Sequence, residues 1–351
     1  MKQQIIRLFV LLVLITVVCA GSVSAAPVVS ARCGILMDAT TGQILWQQRS
    51  HEKALVASTT KIMTGLLIAE NCDLEDVVAV PDEALGVEGS SLYLKRGETV
   101  TVRELLYGMM LHSGNDAAAA LAIYSGGTME NFVDMMNHKA AALGMNNTRF
   151  ANPHGLDDPN HYSTAYDLAV LTRHAVKNPV FTQVVSTKAA AFPNRTFTNH
   201  NKLLWRYEGA MGVKTGYTKA AGRILVSAAT RNGRTIVAVT ISAPNDWQDH
   251  KKLLDYGFSD LEQRTLVCSG ETLAEIPVLC GEEPMAQVVV KEDISCFLRS
   301  SETVRFRYDL PVLIFAPVRC GEKAGQLVVQ IEGEDASSFP LYWKSSVEKG
   351  T

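Results

Sequence analysis

No block of basic residues occurs anywhere in this 351-residue chain; Lys and Arg are spread along it and the formal net charge is −3. The electrostatic footprint of a nucleic-acid-binding surface is therefore missing, and no nucleic-acid partner is expected. Zinc chemistry has no pattern to rest on: there is no C-x-x-C pair, and the eight histidines show no H-E-x-x-H or similar spacing. Beyond the N-terminus no apolar run is long enough to span a bilayer. Internal repeats and low-complexity linkers are absent too. What remains, 47% hydrophobic and 20% charged, is the composition of a folded globular protein, and the length suggests about two domains.

The first residues stand apart. Lys2 and Arg7 make a positive start, Leu8 to Ala20 is apolar, and the small residues Val23-Ser24-Ala25 precede Ala26-Pro27. This is the layout of a secretory signal peptide over residues 1–25, cut after Ala25. A membrane anchor is the competing reading, but the apolar run falls short of the roughly 20 residues a crossing helix needs. Cys19 does not make a lipoprotein signal, because Val17-Val18 lacks the usual small residue. Export permits disulfides among Cys33, Cys72, Cys268, Cys280, Cys296 and Cys320. Sequence does not give their pairing, and reduced, buried thiols account for them equally well.

Cys33 to Gln47 reads as a hairpin around the turn residues Asp38–Gly42. Thr59 to Ala69 is apolar nearly all round, which marks a buried helix. Further helices are predicted at Val102–Leu111, Asp116–Ser125, Met129–Leu143, Thr164–Lys177 and Trp247–Phe258. Arg223–Thr230 and Thr235–Ser242 flank Asn232-Gly233, a strong hairpin signal. Strands at both ends of residues 26–262 with helices between them predict a mixed sheet covered by helices, beside a mostly helical lobe. From about Arg264 the character changes. Short β-type runs at Glu275–Leu279, Ala286–Val290, Thr303–Tyr308, Val312–Phe315 and Gln326–Ile331 predict a small all-β domain over 265–345.

Three motifs carry chemistry. Ser58-Thr59-Thr60-Lys61 places two side chains on one helix face, with Ser58 near the helix N-terminus, where free N–H groups favour developing negative charge. A serine hydroxyl is a weak nucleophile until a base takes its proton, and a lysine serves once burial lowers its pKa. Alone the pattern is weak, since Ser50–Lys53 and Ser346–Lys349 match it as well. Ser113-Gly114-Asn115 falls between two predicted helices. Its hydroxyl could relay a proton to a leaving amine, and its amide could hold Lys61 and a substrate carbonyl; the plainer alternative is a turn with Asn115 as a helix cap. Lys214-Thr215-Gly216 precedes the strand pair. It offers a fixed positive charge, a hydroxyl suited to a carboxylate, and a glycine that lets a ligand approach strand backbone. The three follow one another 55 and 101 residues apart, each on the element its chemistry needs. This is the motif set of penicillin-binding proteins and class A β-lactamases.

The chain resembles the type 5 low-molecular-mass penicillin-binding proteins, the serine-type D-alanyl-D-alanine carboxypeptidases. The resemblance runs through Ala57–Thr64, Gly89–Leu92, Ser113–Ala117, His154–Asp157 and Lys214–Tyr217. It implies an α/β (α+β) catalytic domain like that of serine β-lactamases and penicillin-binding proteins, with a smaller C-terminal β-sandwich domain. It also implies an acyl-enzyme on Ser58, Lys61 as proton acceptor, and Ser113 and Asn115 as proton relay and substrate holder. Lys214 and Thr215 would bind the terminal carboxylate, Gly216 and Tyr217 would also bind substrate, and the backbone N–H groups of Ser58 and Tyr217 would form the oxyanion hole. No cofactor and no metal are called for. The implied partners are peptidoglycan stem peptides ending in D-Ala-D-Ala, and β-lactams. His154 is expected to serve loop structure, His112 to pack or face solvent, Gly86–Leu94 to lie beside the active site, and His200 carries no assigned role. Many relatives end in an amphipathic helix that docks on the membrane. This chain ends polar and short at Lys344–Thr351, which leaves the expected exported protein either soluble outside the membrane or associated peripherally with membrane or wall.

Three rivals share these residues. A class A β-lactamase would carry a Glu-x-x-Leu-Asn element, which is absent here, and the appended β domain does not fit one. A penicillin-binding sensor or vestigial wall protein fits poorly with four intact motif residues and no further membrane span. An endopeptidase cutting cross-bridges would use the same groups.

Overall fold

The computed structural model of the protein describes residues 26–259, 262–298 and 302–350; the signal-peptide reading of residues 1–25 lies outside them. The chain opens with a hairpin of β1 (Cys33–Asp38) and β2 (Ile44–Gln48), turned by the Asp38 carboxylate, which accepts from the backbone N–H groups of Thr40 and Thr41. A short 3₁₀ turn, Ala57–Thr60, leads into α1 (Lys61–Asn71), whose first eight residues are all buried. A small ribbon of β3 (Val77–Ala79) and β4 (Thr99–Thr101) precedes α2 (Val102–Leu111), which Thr101 caps by accepting from Glu104 N–H. Then come α3 (Asn115–Gly126) and α4 (Met129–Ala142). Ala117 to Ala120 give α3 a slim waist, and it packs between α2 and α4 at the centre of the helical lobe.

Helix α5 (Ala165–Ala175) starts at a Thr164 cap, and α6 (Pro179–Ser186) at an Asn178 cap with proline in its first turn. A second ribbon, β5 (Ala189–Phe192) and β6 (Arg195–Thr198), and a single helical turn, α7 (Leu203–Arg206), bring the chain back to the sheet. There β7 (Ala210–Thr218), β8 (Gly222–Arg231) and β9 (Arg234–Ile241) run as a meander, closed by α8 (Asp246–Phe258). The five-stranded order is β2-β1-β9-β8-β7, so the strand carrying Lys214 is an edge. Every pairing in this sheet is antiparallel, which corrects the expected mixed sheet. The reason is local: hairpins join β1 to β2 and β7 to β8 to β9, and the helical excursion between β2 and β7 returns to the opposite edge without a parallel crossover.

Strand alternation divides two cores. Ile35, Met37, Val237 and Val239 face the helical lobe, while Leu36, Ile236, Ala238 and Leu225 face α8 through Leu253 and Leu254. Each such aliphatic side chain taken fully out of water contributes roughly 1.5–3 kcal/mol.

The C-terminal part is all β, as expected. It comprises β10 (Glu262–Val267), β11 (Thr272–Leu279), β12 (Met285–Val289), β13 (Ile294–Leu298), β14 (Val304–Asp309), β15 (Ile314–Phe315), β16 (Lys323–Ile331) and β17 (Glu334–Trp343). Six of these form the order β14-β16-β17-β12-β11-β15, and β10 pairs with β13. The two parts of the molecule meet where the Gln43 amide behaves like a strand residue: Nε2 donates to Phe297 O at 2.6 Å, and Phe297 N donates back to Oε1 at 2.8 Å. Arg234, paired with the buried Asp38 at 2.9 Å, lies over the Phe297 ring. The six described cysteines are all free. Among the described residues no helix is long and apolar enough to cross a membrane.

Candidate active site

The three motifs, remote in sequence, line one cleft of about 380 Å³ that includes Ser58, Ser113, Thr215, Gly216 and Tyr217. Ser58 sits on the 3₁₀ turn rather than on the α-helix itself. In a 3₁₀ turn residues i and i+3 eclipse, which suits a short bond between them better than α-helical spacing does. Lys61 Nζ lies 2.9 Å from Ser58 Oγ. It donates to Asn115 Oδ1 at 2.6 Å and to His154 O at 2.8 Å.

The protonation state of this amine follows from its surroundings. Lys61 is fully buried, and burial holds its pKa well below the ordinary lysine value; the positive charge of Lys214 lowers it further and Asp116 opposes. A neutral amine has two N–H donors and one lone pair. Two fixed oxygens, Asn115 Oδ1 and His154 O, take the donors, and the third direction is Ser58 Oγ. The hydroxyl then donates to the lone pair, which is the geometry of a base about to remove that proton.

Ser113 and Lys214 form a second pair. Lys214 Nζ donates to Ser113 Oγ at 3.0 Å and to Thr215 O at 3.1 Å. Lys214 is almost wholly buried, and burial pulls its pKa down to about 7. Its charge is therefore held in reserve for a partner such as a carboxylate, which would restore it. Thr215 is half-buried and Tyr217 is exposed at the cleft mouth.

Backbone shape fixes these side chains. Ser113 has φ +68° and Ala57, just before Ser58, φ +44°. Both lie in the left-handed region that non-glycine residues avoid, at a cost of roughly 1–3 kcal/mol each. Gly155 has φ +87°, and a Cβ there would lie 1.9 Å from Ala57 O. Only glycine lets this loop press on the serine turn while His154 O holds Lys61. Gly216 makes a similar approach, its absent Cβ being 3.3 Å from Ser58 N.

Several supporting groups escaped sequence reasoning. The Asp116 carboxylate is buried and accepts from Leu92 N, Leu94 N and Ser91 Oγ, folding the Gly86–Leu94 loop over the site. Ser90 O accepts from Asn115 N at 2.7 Å and Glu88 O from Asn115 Nδ2 at 2.5 Å, so this loop lies beside the active site as expected. His161 is the clearest omission. Ala151 N donates to its Nδ1 at 3.1 Å, so Nε2 carries the proton and donates to Thr60 Oγ1 at 2.7 Å. Burial lowers its pKa to about 4, which keeps the ring neutral, and the Ala151 N–H sets its tautomer. Its tie to Thr60 spans 101 residues, and no local pattern signals it. His154 contributes its carbonyl, and its Nδ1 accepts from Leu156 N at 3.3 Å, both within loop structure. His200 lines the cleft, with its ring 5.1 Å from that of His112. Among the described residues no group of His, Cys, Asp and Glu gathers as a metal site.

Comparison with known proteins gives the family. Residues 20–245 match the D-alanyl-D-alanine carboxypeptidase family, and residues 261–349 match the penicillin-binding protein 5 C-terminal domain. The chain is 34% identical over 335 residues to D-alanyl-D-alanine carboxypeptidase DacF of Bacillus subtilis, covering 91% of this chain and 86% of the relative. It is 38% identical over 252 residues to D-alanyl-D-alanine carboxypeptidase DacB2 of Mycobacterium tuberculosis, covering 68% and 86%. Among solved structures it is similar to penicillin-binding protein 5 of Haemophilus influenzae, with a TM-score of 0.75 at 30% identity over 92% of this chain and 99% of that one.

Proposed function

The chain belongs to the D-alanyl-D-alanine carboxypeptidase family, and from that premise we propose that it removes the terminal D-alanine of peptidoglycan stem peptides through an acyl-enzyme on Ser58. The observation that carries this reading is the buried Lys61 amine, with two acceptors satisfied and its third direction on the Ser58 hydroxyl.

In the proposed sequence Lys61 takes the Ser58 proton as Oγ attacks the penultimate D-Ala carbonyl. The developing oxyanion is met by the backbone N–H groups of Ser58 and Tyr217, an arrangement whose single donors are typically worth about 10²–10³ in rate. Lys214 and Thr215 hold the terminal carboxylate, and the amide of Asn115 holds the substrate carbonyl. Ser113, bonded to Lys214, passes a proton to the leaving amine and is resupplied with the proton Lys61 took from Ser58; the C–N bond breaks and D-alanine departs. Water then attacks the ester and restores Ser58. A β-lactam acylates the same oxygen, and its ester, retaining the leaving group, turns over slowly.

The same reading makes residues 1–25 an export signal, residues 26–262 the catalytic domain and residues 265–345 a β-sandwich appendage. The enzyme works outside the cytoplasmic membrane, at the wall or on the membrane's outer face. Incubation with diacetyl-Lys-D-Ala-D-Ala should release D-alanine, and labelled penicillin should attach covalently. Ser58→Ala should do neither; full activity in that variant would end the mechanism.

A further inference from the structure

The catalytic cleft does not stop at the carboxylate pocket. His200 and Lys202 line it, and the same two residues line an adjoining open shelf of about 530 Å³. The floor of the shelf is the single turn of α7, which presents Trp205, 50% exposed, and the exposed Arg206. His200 fixes the junction. Its backbone N–H donates to Leu111 O, two residues before Ser113, and its ring is near enough to Lys214 to feel its charge.

The charge on this shelf has one sign. No acidic side chain lines it; Glu208 belongs to a neighbouring hollow. Neither the Lys202 ammonium nor the Arg206 guanidinium has a hydrogen-bond or ion-pair partner among the described residues. Burial, Lys214 and His112 hold the His200 ring below its ordinary pKa, so the ring favours its neutral form. An indole face flanked by two unpaired cations suits a carboxylate carried on an aliphatic stem. Continuity with the cleft at the Lys214 end says what would bring such a group there: the part of the substrate beyond the scissile bond.

We infer that the shelf formed by His200, Lys202, Trp205 and Arg206 is a leaving-group subsite, and that it favours leaving amino acids whose side chains carry a further carboxylate on an aliphatic stem. The inference rests on the reading given under Proposed function and uses the same bond changes: the Ser58 ester forms, the amide C–N bond breaks, the amine leaves protonated, and water releases the acyl group.

The test compares three substrates, diacetyl-Lys-D-Ala-D-Ala, diacetyl-Lys-D-Ala-D-Glu and diacetyl-Lys-D-Ala-D-Lys, by kcat/KM for amine release. An exposed ion pair is worth roughly two- to fivefold, so two cations favour the D-Glu over the D-Lys leaving group by about tenfold at low salt. High salt should shrink the ratio. Arg206→Glu should erase or reverse it, and Trp205→Ala should lower D-Glu release several-fold, both with D-Ala release unchanged. Equal handling of D-Glu and D-Lys, or parallel loss on all three substrates in both variants, overturns the subsite. D-Alanine release with no such preference leaves the carboxypeptidase reading standing; no release from any substrate overturns both.

Discussion

Between Asp38 and His250 the protein buries lysine, aspartate, histidine, asparagine and serine side chains in its interior; from Glu262 to Gly350, among the described residues, the buried side chains are aliphatic, Trp343 or Cys296. The interior of the second region, between its paired strands, is apolar, built from residues such as Leu327, Val329, Val288 and Leu341. It needs shape and volume but little directional chemistry. In the first region every buried polar group needs partners, and an unpartnered one costs more than a hydrogen bond returns. A sequence keeps two ammonium groups in a dry interior, against their own solvation, where they do something an aliphatic side chain cannot. The contrast separates the part of the chain that performs chemistry from the part that gives it a body.

The strongest way to break the contrast is Lys61→Met. General-base removal should lower kcat/KM by about 10²–10⁴, while thermal melting shows a much smaller effect, because relief of a buried amine's desolvation offsets part of the loss of the donor to Asn115 Oδ1 and His154 O. Retained activity would mean that the buried polarity serves structure only. On the other side, Leu327→Ala should cost about 2–5 kcal/mol in denaturant unfolding of the β region, with kcat on a small peptide unchanged.

Next comes pH. Lys214 must be charged to hold a carboxylate, and its pKa near 7 means that this charge is present below that value and lost above it. Lys61 must be neutral to act as a base, and its burial favours that form. A profile of kcat/KM should therefore decline with pH above about 7, approaching about tenfold per unit. Lys214→Arg, which cannot lose its proton in this range, should remove that alkaline limb even if the overall rate is lower. A flat wild-type profile from pH 6 to 9 would refute the assignment. The smallest effect sharpens the boundary between the regions: Gln43→Ala removes two hydrogen bonds to Phe297. It should cost about 1–2 kcal/mol, read as separation of two unfolding transitions in calorimetry.

Much of this was legible in sequence because the candidate catalytic groups sit on short local motifs whose element types are set locally. Ser58 and Lys61 needed only a helical turn, Lys214 only a strand beside a hairpin marked by Asn232-Gly233. The structure shortens the first of these to a 3₁₀ turn, a distinction that depends on the strained Ala57 and the press of Gly155 rather than on composition. The helices from Val102 to Ala175 followed from periodicity to within a few residues. Missed elements had weak or mixed signals. Helix α7 is one turn, β10 reads Glu-Gln-Arg-Thr-Leu-Val with few apolar positions, and β17 contains Pro340. The antiparallel sheet was misjudged because strand direction depends on the path of the helical lobe, which no strand's own residues encode. His161 and Asp116 were overlooked for a related reason: each is a polar side chain whose meaning comes from a distant partner.

Gly155 extends that last point to heredity. A saturating survey of single substitutions, scored by survival under wall stress, should find position 155 nearly as intolerant as the nucleophile, although no atom there would meet a substrate. Drug-resistant lineages that remodel the cleft would find this route closed. Their variation should gather instead at the open rim, around Tyr217 and Trp205, where side chains face water.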